Sequence, residues 1–572
     1  MLDVVIRGGQ VVDGTGAASQ RADVGIQGDR IVVIGAVDAE AATTIDATGK
    51  VVAPGFVDVH THYDAQVFWD GALTPSPLHG ITTVFAGNCG FTIAPLTDDP
   101  ADGEYLMRML ARVEGMPIEA LRTGVPWDWQ SSADFFERID GRLGINAGFM
   151  VGHSAIRRAV MRTEAVERES TPDELDQMRT LLRDGLEAGG LGFSTSWSRS
   201  HNDADGHMVP SRYATREELI ELSLVAGEFE GTSLEMNPKS GNLETWTMEL
   251  MSDMSSAAQR PINWNLLVVN ARGLEECERQ LTAGDHAARQ GGRVVALTIP
   301  VGAGQSRLSF HSGVLFDSMP TWDQVMLLPH DEKLAVFRDP EARQRLDEAA
   351  QSPENPTRYL AHWDRLTILD VVADENEQYV GKTIGEIAEA EGRETWDVMC
   401  SIALADELYT GFGLISRPDT NDDWKARAHV WRDSRALVGG SDAGAHLDMM
   451  TTAGYPTNML AAVRDHNLMG IEEAVHLLTQ RPAELYGLRD RGVLREGWKS
   501  DVVVFDPATV DAGPVEMRYD LPGGSGRLVN DSIGIDHVLV NGVPIVSDGA
   551  LTDARSGAFL RSGRDTTNPA LD

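Results

Sequence analysis

Residues 54–70 read PGFVDVHTHYDAQVFWD. An apolar run ends in two histidines one residue apart, His60 and His62. In an extended strand, residues i and i+2 share a face, so both rings point the same way and Asp58 lies one pleat deeper. Two imidazoles side by side suit Zn2+, with a carboxylate or thiolate to complete the shell. A His-x-His pair alone is weak evidence. Its surroundings decide the reading.

Upstream, residues 1–53 alternate β-branched runs with Gly and Asp turns: DVVIRGGQVVDG, ADVGIQGDRIVVIG and TTIDATGKVVAPG. The far end has the same texture in SDVVVFDP and IDHVLVNGVPIVSDG. This predicts one β-sandwich domain built from both termini, residues 1–55 and 490–572. Between them, apolar runs alternate with helical stretches, the pattern of βα units around a parallel sheet. Candidate strands end near VDVHTH, ITTVFAGNC, AGFMVGH, LGFSTSW, TSLEMN, NWNLLVV, VVALTIP and ALVGGSD. Eight such runs predict an α/β fold of the (β/α)8 TIM-barrel type over 56–489, with sites at the C-terminal strand ends. Thr171 with Glu174, and Thr215 with Glu218, mark two helix starts of the Thr-x-x-Glu kind. After VVALTIP the spacing breaks, and about 303–350 reads as an inserted lid or subdomain.

Composition narrows the function. Acidic residues outnumber basic ones 87 to 49, a formal charge of −38, which repels phosphate backbones and anionic lipid. Nucleic acid and membrane are therefore not expected partners, and a small-molecule substrate is. Three scattered cysteines do not make a disulfide framework, and the N-terminus has no signal-like segment, so a cytoplasmic location is expected. No apolar run reaches the ~18 residues of a membrane helix. Oligomer formation is left open.

APGFVDVHTHYDAQ after a β-rich N-terminus resembles the entry motif of the amidohydrolase superfamily. LTQRPAELYGLRDRGVLREGWKSDVVVFDP resembles its return from barrel to sandwich. Within the superfamily the chain is most similar to the N-acyl-D-amino-acid deacylases (D-aminoacylases). The stretches that carry this are HTHYDAQVFWDGALTPSPLHGITTVFAGNCGFTIAP, VGHSAIRRAVM, GGLGFSTSW, YVGKTIGEIAEAEG and GGSDAGAH. The resemblance runs from residue 2 to about 548.

The resemblance implies a metal-dependent hydrolase of linear C–N amide bonds. His60 and His62 would be ligands and Cys89 in GNCGF the family's bridging cysteine. Asp442 in GGSDAGAH would bind metal and act as general base on the attacking water. It also implies one histidine after the fifth strand and one after the sixth. This chain has SLEMNPKSG and INWNLLVVN there, leaving Glu235, Asn237, Asn263 and Asn265. Asn is a poor zinc ligand beside imidazole, so one tightly bound zinc is expected rather than two.

Further candidates face the same mouth. The loop SWSRSHNDADGHMVPSRY offers His201 as ligand or substrate contact. His153 ends the third strand and is expected to line the mouth. His446 is expected to support Asp442. Arg199 and Lys239 are the nearest cations for a substrate carboxylate, and Glu235, Asn237 and Asn265 complete the expected substrate-binding set. Two alternatives stand beside the deacylase reading: cleavage of a cyclic imide, a lactone or another amide, and a barrel that binds a small molecule without turnover.

Overall fold

The structure, a computed structural model, describes residues 1–238, 243–302, 305–313, 315–415 and 417–571. Among them, eight parallel strand units follow one another. They are Phe56–Asp58, Ile81–Ala86, Asn146–Phe149 continuing as Val151–Gly152, Gly192–Ser196, Ser233–Asn237, Ile262–Trp264, Val294–Thr298 and Ala436–Val438. The first three form one parallel sheet. The chain steps at Met150 into a six-stranded parallel sheet running in sequence order from Val151–Gly152 to Ala436–Val438. The first and eighth units meet just beyond their strands. The amide of Asp442 donates to the His60 carbonyl (2.9 Å) and that of His62 to the Ala443 carbonyl (2.7 Å).

The strand residues are nearly all buried, as strands covered on both faces require. Helices fill the outside, and their caps follow the sequence in part. Thr171 and Glu174 make a reciprocal capping box at the helix Pro172–Glu187. Thr215 caps the helix Arg216–Gly227, but Glu218 does not reach back. Its carboxylate is buried and accepts from Arg157 Nη1 (2.5 and 2.6 Å), His153 Nε2 (2.8 Å) and Ser170 Oγ (2.5 Å).

The two ends of the chain share one nine-stranded sheet. Strand Val51–Pro54 pairs antiparallel with Val502–Phe505, which pairs in turn with Ile535–Val540. Valines and isoleucines from both ends, among them Ile6, Val24, Val502 and Val504, pack into one apolar cluster.

A third unit interrupts the chain between the seventh and eighth parallel strands. Its antiparallel sheet joins Gln305–Leu308, Gly411–Ile415 and Thr367–Asp370. Its own core includes Phe310, Trp322, Phe337, Trp396 and Phe412. The stretch 303–350 is thus the first part of a longer inserted unit. Aromatic and aliphatic side chains drawn from positions between 308 and 412 make its core together, which a local pattern cannot display.

Candidate metal centre

The first strand delivers His60 and His62 just past its end, both buried. Asp58 behind them is fully buried and accepts from the amides of His60 (3.3 Å) and Ser441 (3.0 Å). It therefore ties the first strand end to the eighth, and burial pushes its carboxyl up to about 7. The second strand ends in a turn where Gly87, Cys89 and Gly90 all have positive φ. That reversal places the Cys89 sulfur 3.6 Å from His60 Nε2. The eighth strand delivers Asp442, also at positive φ, with Oδ1 3.1 Å from His62 Nε2 and 3.6 Å from His60 Nε2. Residues from three strand ends, spanning 383 positions of sequence, thus converge on one point.

Glu114 joins them without having been expected from the sequence. It follows the helix Pro100–Val113, is buried, and holds Oε2 3.6 Å from His62 Nε2. Its carbonyl accepts the amide of His446, which fixes the loop after the eighth strand. Nothing near Glu114 marks it: an acidic residue at a helix C-terminus opposes the helix dipole, the only local oddity.

Two donor groups result, each with its atoms within 4.8 Å of one another: His60, His62 and Cys89; and His62, Glu114 and Asp442. Nδ1 of His60 and both ring nitrogens of His62 are buried without an aligned hydrogen-bond partner. Buried polar atoms are seldom left so in a finished site. Two imidazoles, a thiol and two carboxylates fit a divalent transition metal such as zinc. Burial pushes the Cys89 thiol up to about 12 and the His60 ring down to about 3. Burial also works against charge on His62, but the carboxylates of Glu114 and Asp442 outweigh it and raise that ring well above its ordinary value. For Asp442 burial is likewise outweighed, by His62 first, so its carboxyl lies below the usual range.

Strands five and six close the floor. Glu235 is fully buried and accepts the Cys89 amide through Oε2 (2.7 Å), while Oε1 lies 3.9 Å from His60 Nδ1. Burial lifts its carboxyl to about 8. The side-chain amides of Asn237 and Asn265 approach the Cys89 sulfur at 3.7 and 3.4 Å. Asn263 points elsewhere, to the Val295 carbonyl (3.2 Å).

His201 folds inward. Its Nδ1 lies 2.7 Å from Ser196 Oγ and its ring packs on Phe91 at 5.1 Å. Its loop is pinned by Asp203, which is buried and accepts from the amides of Asp205 (3.0 Å) and His207 (2.9 Å) and from Tyr105 Oη (3.1 Å). His60, His62, Cys89, Glu114, His201, Asn237, Asn265, Asp442 and His446 together line a pocket of about 450 Å3. His446 Nε2 stands 3.7 Å from Asp442 Oδ2.

His153 is not among them. The residue after the third strand already starts a helix, and the ring turns into the protein, between Thr195 Oγ1 (2.9 Å) and Glu218 (2.8 Å). Arg199 is exposed on the loop surface. Lys239 lies outside the described residues.

The family model described as "Amidohydrolase family" matches residues 43–546. The D-aminoacylase of Alcaligenes xylosoxydans xylosoxydans is 27% identical over 571 residues, 98% of this chain and 97% of that protein. A solved structure of N-acyl-D-glutamate deacylase from Bordetella bronchiseptica is 26% identical, with a TM-score of 0.65 over 98% of this chain and 99% of that one. That protein was solved with zinc and a phosphonate inhibitor that mimics the reaction's tetrahedral intermediate. A D-aminoacylase structure described by its binuclear metal centre, with one-metal activation and second-metal attenuation, is 25% identical. Its TM-score is 0.65 over 98% of this chain and 100% of that one.

Proposed function

The chain belongs to the amidohydrolase family, and from that premise we propose that it is a metal-dependent hydrolase that cleaves the amide bond of N-acyl-D-amino acids. The observation that carries the chemistry is the convergence of His60, His62, Cys89 and Asp442 from three strand ends. Kinship with D-aminoacylase and with the N-acyl-D-glutamate and N-acyl-D-aspartate deacylases, each matched over 98% of this chain, supports the substrate class. In sequence, the D-hydantoinase of Ralstonia pickettii is matched over only 20% of this chain, against 98% for the three deacylases, which favours a linear amide over a cyclic imide.

The proposed frame is a (β/α)8 barrel at about 56–489, carried beside a domain of both termini, with the inserted unit over its mouth. One zinc ion would be held by His60, His62 and Asp442, with Cys89 in reach. It would supply Lewis acidity toward water and the scissile carbonyl. The residues do the rest. Asp442 accepts the proton of the attacking water, because its carboxylate is kept ionised beside His62. The same carboxyl then returns the proton to the departing amine. His446 steadies Asp442, and His201 closes the mouth from above the fourth strand. On the far side Glu235, Asn237 and Asn265 surround Cys89 with a carboxyl already engaged and with amides, a weak shell for a second ion. A cytoplasmic location accords with the absence, among the described residues, of any helix long and apolar enough to cross a membrane.

Release of free amino acid from N-acetyl-D- and N-acetyl-L-amino acids by the zinc-loaded protein, beside hydantoins and lactones, tests this. The expected result is turnover of the linear D-substrates. Turnover of the cyclic substrates alone would overturn it.

A further inference from the structure

Glu114 is the one carboxylate of the metal pocket that no strand end delivers. It is 3% exposed, and among the described residues its side-chain oxygens accept no hydrogen bond. Its closest polar neighbour is His62 Nε2, 3.6 Å from Oε2. A buried charge is stable when it is paired or coordinates a metal. Glu114 also ends the helix Pro100–Val113, where the negative pole of the helix dipole works against a carboxylate. Both costs call for a cation beside it. Among the described residues, no Arg or Lys lines this pocket.

The backbone fixes that carboxylate in place. The Glu114 amide donates to the Leu110 carbonyl (2.9 Å), and its own carbonyl accepts the His446 amide. Gly115 follows at φ +58°, a conformation that favours glycine, and a Cβ there would stand 3.3 Å from the His446 Cα. The turn 114–115 therefore lies directly on the loop that carries Asp442 and His446.

Across that contact, His62, Glu114 and Asp442 each bring a donor atom, all within 4.8 Å of one another. His62 is 1% exposed, and both of its ring nitrogens lack an aligned hydrogen-bond partner. Two neutral imidazoles and the carboxylates of Glu114 and Asp442 carry two negative charges, which one divalent ion neutralises. Cys89 is served differently. The side-chain amides of Asn237 and Asn265 lie 3.7 and 3.4 Å from its sulfur. The sulfur therefore has polar company without an ion, whereas the only such neighbour of Glu114 is a ring that would share the ion with it.

We propose that Glu114 is a direct ligand of the resident divalent ion, completing with His60, His62 and Asp442 a shell of nitrogen and oxygen donors that excludes the Cys89 sulfur. The inference rests on the metal-hydrolase reading of this pocket. It gives the chain a four-donor shell although strands five and six bring no imidazole.

X-ray absorption at the zinc edge, on the full chain loaded with one Zn2+, reads that shell without any substitution. Oxygen and nitrogen donors at about 2.0–2.2 Å, and no sulfur at about 2.3 Å, are expected. A sulfur shell overturns the proposal. Competition with a chromophoric chelator then measures Zn2+ affinity in Glu114→Gln, which keeps the size of the side chain and removes its charge. The expected loss exceeds the roughly 10–100-fold that a supporting, non-ligating partner costs. A smaller loss overturns direct ligation. Where Glu114→Gln does not fold, anomalous scattering from crystals of the zinc-loaded parent replaces it. Zinc within about 2.2 Å of a Glu114 oxygen upholds the assignment, and zinc beyond that reach overturns it. A parent chain that takes up no divalent ion defeats the metal-hydrolase reading and this proposal with it. One that holds Zn2+ equally well with and without the Glu114 carboxylate defeats this proposal alone.

Discussion

Asp442 Oδ1 lies 3.1 Å from His62 Nε2, while the Asp442 amide donates to the carbonyl of His60. One residue thus locks the eighth strand end to the first and presents its carboxylate to both rings. Asp442→Asn keeps the backbone bond and the shape but cannot take a proton. We expect an unchanged far-UV spectrum and melting profile, with kcat reduced about 10²–10⁴-fold. A variant that keeps most of the parent rate would remove Asp442 from the role of base.

His60→Ala deletes a buried ring that faces both Cys89 and Asp442. Loss of one ligand from a site of three or four is expected to abolish tight metal binding. Competition with a chromophoric chelator checks this directly. Full occupancy after dialysis in the variant would place the metal elsewhere.

The weak donor shell around Cys89 predicts one zinc per chain after dialysis. Its removal by chelator is expected to lower the melting temperature, since an ion that binds only the folded chain stabilises it by about 2.7 kcal/mol at 100 times its Kd. Elemental analysis and anomalous scattering at the zinc edge read the number. Two full ions about 3.5–4 Å apart, the usual two-metal spacing, would overturn the single-ion reading.

Asp203 holds the His201 loop by three hydrogen bonds from inside the protein. Asp203→Ala leaves those donors without their acceptor, at about 1–3 kcal/mol of local stability. Limited proteolysis is expected to cut first within 198–208, with KM raised. A loop as resistant as the parent's would show that Asp203 does not hold it.

Glu218 links activity-independent stability to acid. Burial resists its charge, but His153 and then Arg157 outweigh burial and hold its carboxyl down to about 2, against an ordinary 4.5. The unfolded chain therefore binds more protons between those values. The stabilisation is complete above pH about 4.5 and drains away as pH falls toward 2, on the order of 3 kcal/mol in all. Glu218→Gln is expected to flatten the stability–pH curve in that window while lowering stability near neutrality. Denaturant titrations at stepped pH measure both, and an unchanged slope would count against this.

The sequence was informative where chemistry and position coincide. His60, His62, Cys89 and Asp442 each stand just past the C-terminal end of a parallel strand; the strand pattern pointed to the His60–His62 pair, and the family resemblance supplied Cys89 and Asp442. Glu114 escaped because a helix end brings it in, 52 residues beyond His62, and no pattern around it says what it meets. His153 stands at the expected strand end, yet its ring follows Glu218, 65 residues away, into the interior. Glu218 misled in turn: its Thr-x-x-Glu spacing fits a cap, but the buried guanidinium of Arg157 made the stronger claim on its carboxylate. His201 sat in a loop whose direction only its ties to the helix Pro100–Val113 decide.

The pairing of Val51–Pro54 with Val502–Phe505 has a consequence in time. The first of these strands leaves the ribosome some 450 residues before its neighbour. At about 5–20 residues per second that interval is roughly 20–90 s. Throughout it the N-terminal strands present an open hydrogen-bonding edge to every other chain being made nearby. That edge is covered only once Val502–Phe505 has been made and has paired with it.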